Sequence, residues 1–195
     1  MDILGLAFAS GWASGLNAYL TVMALGVLGR FGGVEQIPVG FQRTDVLIVM
    51  GILALVEFVA DKIPYVDSLW DGLSTLVRPV AGAVIGALLA GATGDLPTLA
   101  FAAVGGVAAL LSHLSKAGIR LAANTSPEPV TNIGLSLSED AAVISVVTLA
   151  VAHPVPAAII AAVLLAVGIG VAVFLFSRIR RGWRALRRWL VADSS

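Results

Sequence analysis

The sequence predicts an all-α protein: a polytopic membrane helix bundle of about six transmembrane helices, with polar re-entrant or interfacial loops and a C-terminal amphipathic helix. Of its 195 residues, 58% are hydrophobic and only 12% are charged, and its mean hydropathy is +0.98. A water-soluble globule of this size does not have enough interior to bury so much apolar surface. The continuous apolar runs also lack the alternation of a membrane β-barrel, so we expect the spans to be helices.

Six segments approach the length of about 20 apolar residues that a transmembrane helix needs. They cover residues 3–29, 45–62, 76–93, 97–122, 133–152 and 155–177. The first segment lacks the basic start of a signal peptide, which favours a retained span. We therefore expect a transmembrane domain over residues 1–177, followed by a basic tail over residues 178–195. The chain has no Cys, which excludes disulfides, thiolate nucleophiles and Cys-based metal sites.

The first span carries a polar face. Ser10, Ser14, Asn17 and Thr21 recur at helical spacing, and so lie on one side of a helix. These groups either pack and hydrogen-bond between helices or line a polar path through the bundle. In the second case, Asn17 is the candidate site residue because it lies near the middle of the span.

A charged stretch runs from residue 57 to residue 79, between two apolar runs. Its candidate site residues are Glu57, Asp61, Lys62, Asp67, Asp71 and Arg78. Ionisable groups at this depth are costly unless they are paired or hydrated, which makes them functional candidates. Pro64 is predicted to end the second span. A short interfacial or re-entrant helix follows, and the third span begins at Arg78 and Pro79.

A basic face is predicted at the end of the fourth span. His113, Lys116, Arg120 and Asn124 lie on one side of that helix, opposite in charge to the end of the second span. Adjacent opposite charges offset each other's desolvation when they are well hydrogen-bonded. Glu128 lies in the following loop. Glu139 and Asp140 are predicted at the N-terminus of the fifth span, where carboxylates suit the helix dipole.

The tail after residue 177 has the pattern of a basic amphipathic helix lying on an anionic membrane surface. Its membrane-surface candidates are Arg178, Arg180, Arg181, Arg184, Arg187 and Arg188. Nucleic acid is not an expected partner, because the cluster directly follows a span. With six spans, every Lys and Arg except Arg30 and Arg43 falls on the side of the termini, so both termini are expected in the cytoplasm.

Small residues and a repeat complete the predicted organisation. Two glycine pairs, Gly11 with Gly15 and Gly82 with Gly86, favour close helix contacts and a homo-oligomer. Residues 45–93 and 97–152 share an order of apolar helix, Lys, polar loop and apolar helix. This order suggests an internal repeat whose two polar loops meet.

The polar strings of the chain resemble a bacterial membrane family known as domain of unknown function 4126. They are ADKIPYVDSLWD from residue 60, TLVRPVAG from residue 75 and SHLSKAGIRLAANTSPEP from residue 112. The resemblance covers the first five predicted spans, and GLNAYL around Asn17 belongs to it. It implies a multi-pass protein of the bacterial cytoplasmic membrane and supplies no activity.

Three functions are open on this basis. The first is transport or channel-like conduction of a small ion or polar solute through the polar site at the cytoplasmic half of the bundle. The second is a non-catalytic scaffold or accessory subunit in which the charges lock helices together. The third is an interfacial enzyme acting on a lipid headgroup or phosphate, with carboxylates holding a hard cation. No catalytic residue and no cofactor is assigned.

Overall fold

The computed structural model describes residues 3–91, 95–125 and 128–192, with backbone alone for Asp95, Pro129 and residues 185–192. Within these ranges the protein is all-helical. The helices are α1 (Ile3–Leu16), α2 (Ala18–Gly32), a 3-10 turn (Val39–Gln42), α3 (Thr44–Ala60), α4 (Val66–Leu89), α5 (Asp95–Ala123), α6 (Pro129–Ala152) and α7 (Pro154–Ala192). By length and composition, four of them are able to cross a membrane: α4, α5, α6 and α7.

The first apolar run is two helices, so the continuous span predicted over residues 3–29 is wrong. Asn17 separates them, with φ −151° and ψ 100°, and its side chain accepts a hydrogen bond from the Leu20 amide. This is an N-cap, in which an Asn side chain satisfies a donor of the first helical turn. The same side chain therefore starts α2 and ends the α-helical pattern of α1.

Helix α1 runs beside α5 and in the same direction. Gly11 packs against the backbone of Gly105. Further along both helices, the Lys116 ammonium donates to the Leu16 carbonyl at 2.9 Å. The C-terminal end of α1 is therefore at the depth of Lys116, well inside the length of α5.

Helix α2 returns to the end of the bundle at which α1 begins. Gly26 lies against the Phe41 carbonyl, just before α3. Helix α3 starts at that end of the bundle. It comes level with the helix break only near its last turn, at Glu57, whose carboxylate accepts a hydrogen bond from Arg78 at 2.6 Å. Arg78 also donates to the Gly15 carbonyl at the end of α1, at 3.5 Å. Both α1 and α2 thus lie on one side of the break and form a helical hairpin. We call it the re-entrant hairpin because we expect it to enter and leave the membrane on one side.

The hairpin changes how the chain passes through the bundle. Helices α4 and α5 are antiparallel, because Thr75 lies beside His113 and Gly86 lies beside Phe101. Helices α5 and α6 are also antiparallel, because Asn124 contacts Asn132 and Arg120 contacts Glu139. Helix α7 begins beside Gly5 and runs parallel to α5, with Gly168 beside Ser115. Residue 3 and the end of α7 therefore lie at opposite ends of the bundle, whereas six crossings would have placed them together.

Helix α4 begins earlier than predicted. It is continuous from Val66, so the segment after Pro64 is the first half of this helix and not a separate interfacial or re-entrant one. Pro79 lies in the helix interior rather than at its first turn. Pro79 is half-buried and removes the helical donor to the Thr75 carbonyl, a loss that membrane helices tolerate. Ser14 of α1 donates to the neighbouring Arg78 carbonyl at 3.3 Å.

Helix α6 also begins earlier than predicted, at Pro129, with Glu128 as the residue before it. Pro suits this first position because the amide it lacks would have no helical partner there. Glu139 and Asp140 consequently lie in the helix interior and not at its N-terminus. They face the bundle as side-chain partners instead of stabilising the helix dipole.

Helix α7 is unbroken from Pro154 to Ala192, so the boundary predicted at residue 177 is not a break in the helix. The basic segment continues the axis of the span. The side chains of Arg178, Arg180, Arg181 and Arg184 are at least partly exposed, and Arg178 lies over the Phe174 ring. Those of Arg187 and Arg188 are outside the described residues, and contact with a membrane surface stays a prediction.

Glycines bring α1, α4 and α5 into close contact. A Cβ on Gly82 would meet the Gly105 carbonyl, and one on Gly86 would meet the Phe101 carbonyl. All four glycines of the two pairs predicted from the sequence pack against α5 of the same chain. They are therefore not available to contact a second copy, and the homo-oligomer stays a prediction. The pairs α3–α4 and α5–α6 share an up-and-down order, but the internal repeat itself stays a prediction.

The re-entrant hairpin makes a testable prediction about sidedness. An epitope tag ahead of residue 3 and a cysteine replacing exposed Gly40 should be reached from the same side of the membrane. A cysteine replacing exposed Glu128 should be reached from the other side. The measurement is labelling of oriented vesicles with a membrane-impermeant thiol reagent and a tag antibody. If the tag and Gly40→Cys are reached from opposite sides, α1 and α2 cross the membrane together and the hairpin is wrong.

Candidate functional site: a buried charged cluster below the helix break

The tip of the hairpin lies on a group of ionisable side chains that we call the charged cluster. Its members are the carboxylates Glu57, Asp61, Asp67, Asp71 and Glu139 and the cations Arg78, Lys116 and Arg120. Seven of the eight side chains are at most 3% exposed, and Glu139 is 14% exposed. The cluster is contributed by α4, α5, α6 and the end of α3, so it belongs to the interior of the bundle.

Arg78 joins α3, α4 and α5. Its guanidinium lies 2.6 Å from Glu57 Oε1, 2.8 Å from Asp71 Oδ1 and 2.7 Å from His113 Nδ1. Asp71 and Arg78 belong to one face of α4, because residues seven apart are two turns apart on a helix. A planar fork of five donors suits a site with several acceptors.

The contacts of His113 define its tautomer. A guanidinium has donors only, so His113 Nδ1 must accept from Arg78. The proton is then on Nε2, which faces Thr75 Oγ1 at 3.2 Å. The Thr75 hydroxyl donates onward to the Asp71 carbonyl at 3.0 Å. His113 is thus a neutral imidazole that orients Arg78, and it has no free nitrogen to act as a base.

Lys116 joins α5 to α1, α3 and α6. Its ammonium lies 2.7 Å from Asp61 Oδ2, 3.5 Å from Glu57 Oε1 and 3.4 Å from Glu139 Oε2. It also donates to the Leu16 carbonyl at 2.9 Å. An ammonium has three donors, and Asp61 and Leu16 hold two of them at hydrogen-bond distance.

Arg120, one helical turn further along α5, closes the cluster toward α6. Its guanidinium lies 2.6 Å from Glu139 Oε2 and 3.2 Å from Asp61 Oδ2, and it donates to the Asp61 carbonyl. Asp67 is 3.6 Å away and receives additional hydrogen bonds from Asn124 Nδ2 at 2.8 Å and from the Ser68 amide at 2.7 Å.

The break at Asn17 supplies backbone acceptors to this cluster. The last carbonyls of a helix have no intrahelical donor and carry the negative end of its dipole. At the end of α1, the Gly15 carbonyl accepts from Arg78 and the Leu16 carbonyl accepts from Lys116. Irregular backbone at membrane depth is tolerated where it is buried in protein, and in transporters such breaks form binding sites.

Two polar pairs border the cluster on the side of α6. Asn17 Nδ2 donates to Asp140 Oδ1 at 3.2 Å. Lys62 donates to Ser136 Oγ at 3.2 Å and to the Phe58 carbonyl at 2.8 Å. Lys62 lies in the loop between α3 and α4, where partial burial lowers the pKa of its ammonium, while nearby Asp140 raises it.

The structure brings together all the sequence candidates of the polar site except Glu128. That residue is exposed and makes no side-chain cap of α6. Ser14, predicted on the polar face of the first span, donates to the Arg78 carbonyl. Sequence reasoning did not place Thr75, Asn132 and Ser136 in the site. Asn132 and Ser136 share with Glu139 a helical spacing that is visible in the chain, whereas Thr75 is a partner only through its contact with the distant His113.

No group of three or more His, Asp or Glu side chains among the described residues is placed to hold a metal ion. Asp67 and Asp71 face different cations, and Glu128 is away from both. A cavity of about 340 Å³ adjoins the cluster between α1, α5, α6 and α7. Lys116 and Glu139 line its polar end, and Trp12, Leu164 and Leu165 line its apolar side.

Comparison with curated proteins gives no match, and comparison with solved structures gives none either. A family model does match: the domain of unknown function 4126, over residues 4–173. The match includes the hairpin, the whole charged cluster and the first half of α7, and it ends before the basic segment. The protein therefore belongs to the family of domain of unknown function 4126.

Proposed function

We propose that this protein transports a small ion or polar solute across the bacterial cytoplasmic membrane, with the charged cluster as its binding site. The observation that carries the proposal is the helix break at Asn17, directly above the buried ions. An uninterrupted helix would be more stable in lipid, where every freed backbone group must find a partner. Helix breaks at membrane depth also occur at the ion and substrate sites of transporters, and here the break brings the Gly15 and Leu16 carbonyls to the cluster.

The distribution of charge supports an orientation. Most of the basic residues lie toward the end at which α7 leaves the bundle: Lys62, Arg78, Lys116, Arg120 and the arginines of α7. The other two, Arg30 and Arg43, lie toward the opposite end. By the positive-inside rule, the cluster end faces the cytoplasm. The C-terminus is then cytoplasmic and residue 3 is outside, a topology with one terminus on each side.

A scaffold function is the second candidate, and the pairing within the cluster favours it. Each of the three cations contacts at least two carboxylates. Such a network can fix the arrangement of helices without binding any substrate. The cavity beside Lys116 and Glu139 favours transport instead, because it gives the cluster a route toward α7.

The test is charge movement in proteoliposomes on a solid-supported membrane, screened with H⁺, Na⁺, K⁺, ammonium and small polar solutes. The wild type should give a current with one of these solutes. Asp61→Asn removes a charged contact of Lys116 and Arg120, so we expect a current about ten- to a hundredfold smaller. Glu128→Gln removes an exposed carboxylate outside the cluster and should leave the current unchanged. If no solute gives a current, transport of net charge with these solutes is refuted.

A further inference from the structure

The charged cluster contains more carboxylates than cations. Its five carboxylates each lie 2.6–3.6 Å from one of its three cations, which leaves two carboxylates in excess. Asp140 and Lys62 lie at the border of the cluster. Counting this one acid and one base as well leaves the excess of carboxylates over cations at two. A buried ion without a counter-charge is strongly unfavourable, and a carboxylate in that position takes up a proton.

Part of the excess lies at Arg78. Glu57 and Asp71 both bind this one guanidinium, and each also has an oxygen, Oε2 and Oδ2, with no hydrogen-bond partner among the described residues. Asp61 Oδ1 also lacks such a partner, but Asp61 contacts both Lys116 and Arg120. Arg120 contacts a third carboxylate, Asp67, which also accepts hydrogen bonds from Asn124 and the Ser68 amide. Glu57 is 0% exposed and Asp71 is 2% exposed. Two carboxylates that share one counter-charge at this burial cannot both remain ionised at low cost.

The other groups around Glu57 do not relieve this excess. Lys116 is 3.5 Å from Glu57 but binds Asp61 more closely, at 2.7 Å. Asp61 on the same helix adds negative charge, and Tyr19 of α2 adds only a neutral phenol nearby. His113 is a neutral donor whose Nδ1 is held by Arg78.

A proton fits this site better than a metal cation does. Backbone carbonyls freed by a helix break are the usual ligands of Na⁺ in transporters with broken helices. Here the Gly15 and Leu16 carbonyls already accept from Arg78 and Lys116. The described residues also offer no cluster of carboxylate and imidazole ligands for a metal. A proton needs only one oxygen lone pair, which Glu57 Oε2 and Asp71 Oδ2 supply.

We propose that the charged cluster is a proton-binding site that holds about two carboxyl protons among its five carboxylates, with Glu57 beside Arg78 at its centre. Each proton forms one O–H bond on a carboxylate oxygen and neutralises its charge. The site exchanges these protons with water when the bundle opens. The further step, that H⁺ is the transported or coupling ion, rests on the proposed transport function.

Proton release on unfolding tests the site without requiring transport. The protein in mild detergent is unfolded with SDS in a weakly buffered solution at about pH 7.5, where exposed carboxyls are ionised and an exposed imidazole is mostly neutral. The wild type should release about two protons per chain, because both buried acids ionise. Glu57→Gln and Asp71→Asn should each release about one. Glu128→Gln, which lies outside the cluster, should release about two, like the wild type.

Infrared spectroscopy of the folded wild type gives a second readout that needs no variant. A carbonyl stretch of protonated carboxylic acid, sensitive to D₂O, should be present at neutral pH. Absence of that band together with release of no protons would overturn the site, even if a solute current is found. Release of two protons without any current would leave the proton site standing and refute transport alone.

Discussion

Replacing Lys116 with Met is expected to lower the free energy of unfolding by about 3–5 kcal/mol, the loss typical of breaking a buried ion pair. Met is close to Lys in length and fills the same space, so lost charge is the dominant effect. The substitution leaves Asp61 and the Leu16 carbonyl without their closest cation. The measurement is unfolding in mild detergent by titration with SDS.

Arg43→Met is the matched control, because Arg43 and Asp45 form an ion pair whose side chains are 65% and 62% exposed. Exposed pairs of this kind contribute about 0–1 kcal/mol. A loss for Lys116→Met no larger than that for Arg43→Met would mean that the cluster is hydrated and not buried.

Gly105→Val is expected to disrupt the packing of α4 and α5, with a loss of about 1–3 kcal/mol or more. A Cβ on Gly105 would meet the Gly82 carbonyl, a backbone atom that cannot move without shifting α4. The charged cluster depends on this contact, because α4 carries Asp71 and Arg78 and α5 carries Lys116. The same substitution at Gly134 of α6 meets open space and should change stability much less.

Gly105→Val should lower both the SDS concentration at which the protein unfolds and the current in proteoliposomes. Unaltered stability of Gly105→Val, equal to that of Gly134→Val, would show that α4 and α5 are further apart than the structure places them.

Helical periodicity allowed the shared faces of several site residues to be predicted from the sequence alone. Glu57 and Asp61 are one turn apart, and the basic residues of α5 recur at turns of a single helix. Their shared faces follow from residue spacing without knowledge of any partner. Charge complementarity then gave a reason for the end of α3 to lie against α5, because buried opposite charges are costly when separated.

The re-entrant hairpin could not be predicted in the same way. Hydropathy measures only the length of an apolar run, and residues 3–29 are apolar on both sides of Asn17. The break is compensated by Arg78 and Lys116, which are 63 and 100 positions away from the carbonyls they bind. The early starts of α4 and α6 have a similar cause, since polar residues such as Asp67 and Asn132 are buried by mutual hydrogen bonds.

The most direct test of the central claim, that the charged cluster is a transport site, is the current of the double variant Asp61→Asn with Lys116→Met. Removing both members of the pair leaves neither charge unpaired, so the double variant should unfold at a higher SDS concentration than Lys116→Met alone. We expect this stabler protein to give no current above that of empty liposomes. A double variant that carries the wild-type current would contradict the account, because the Asp61–Lys116 pair would then have a structural role only.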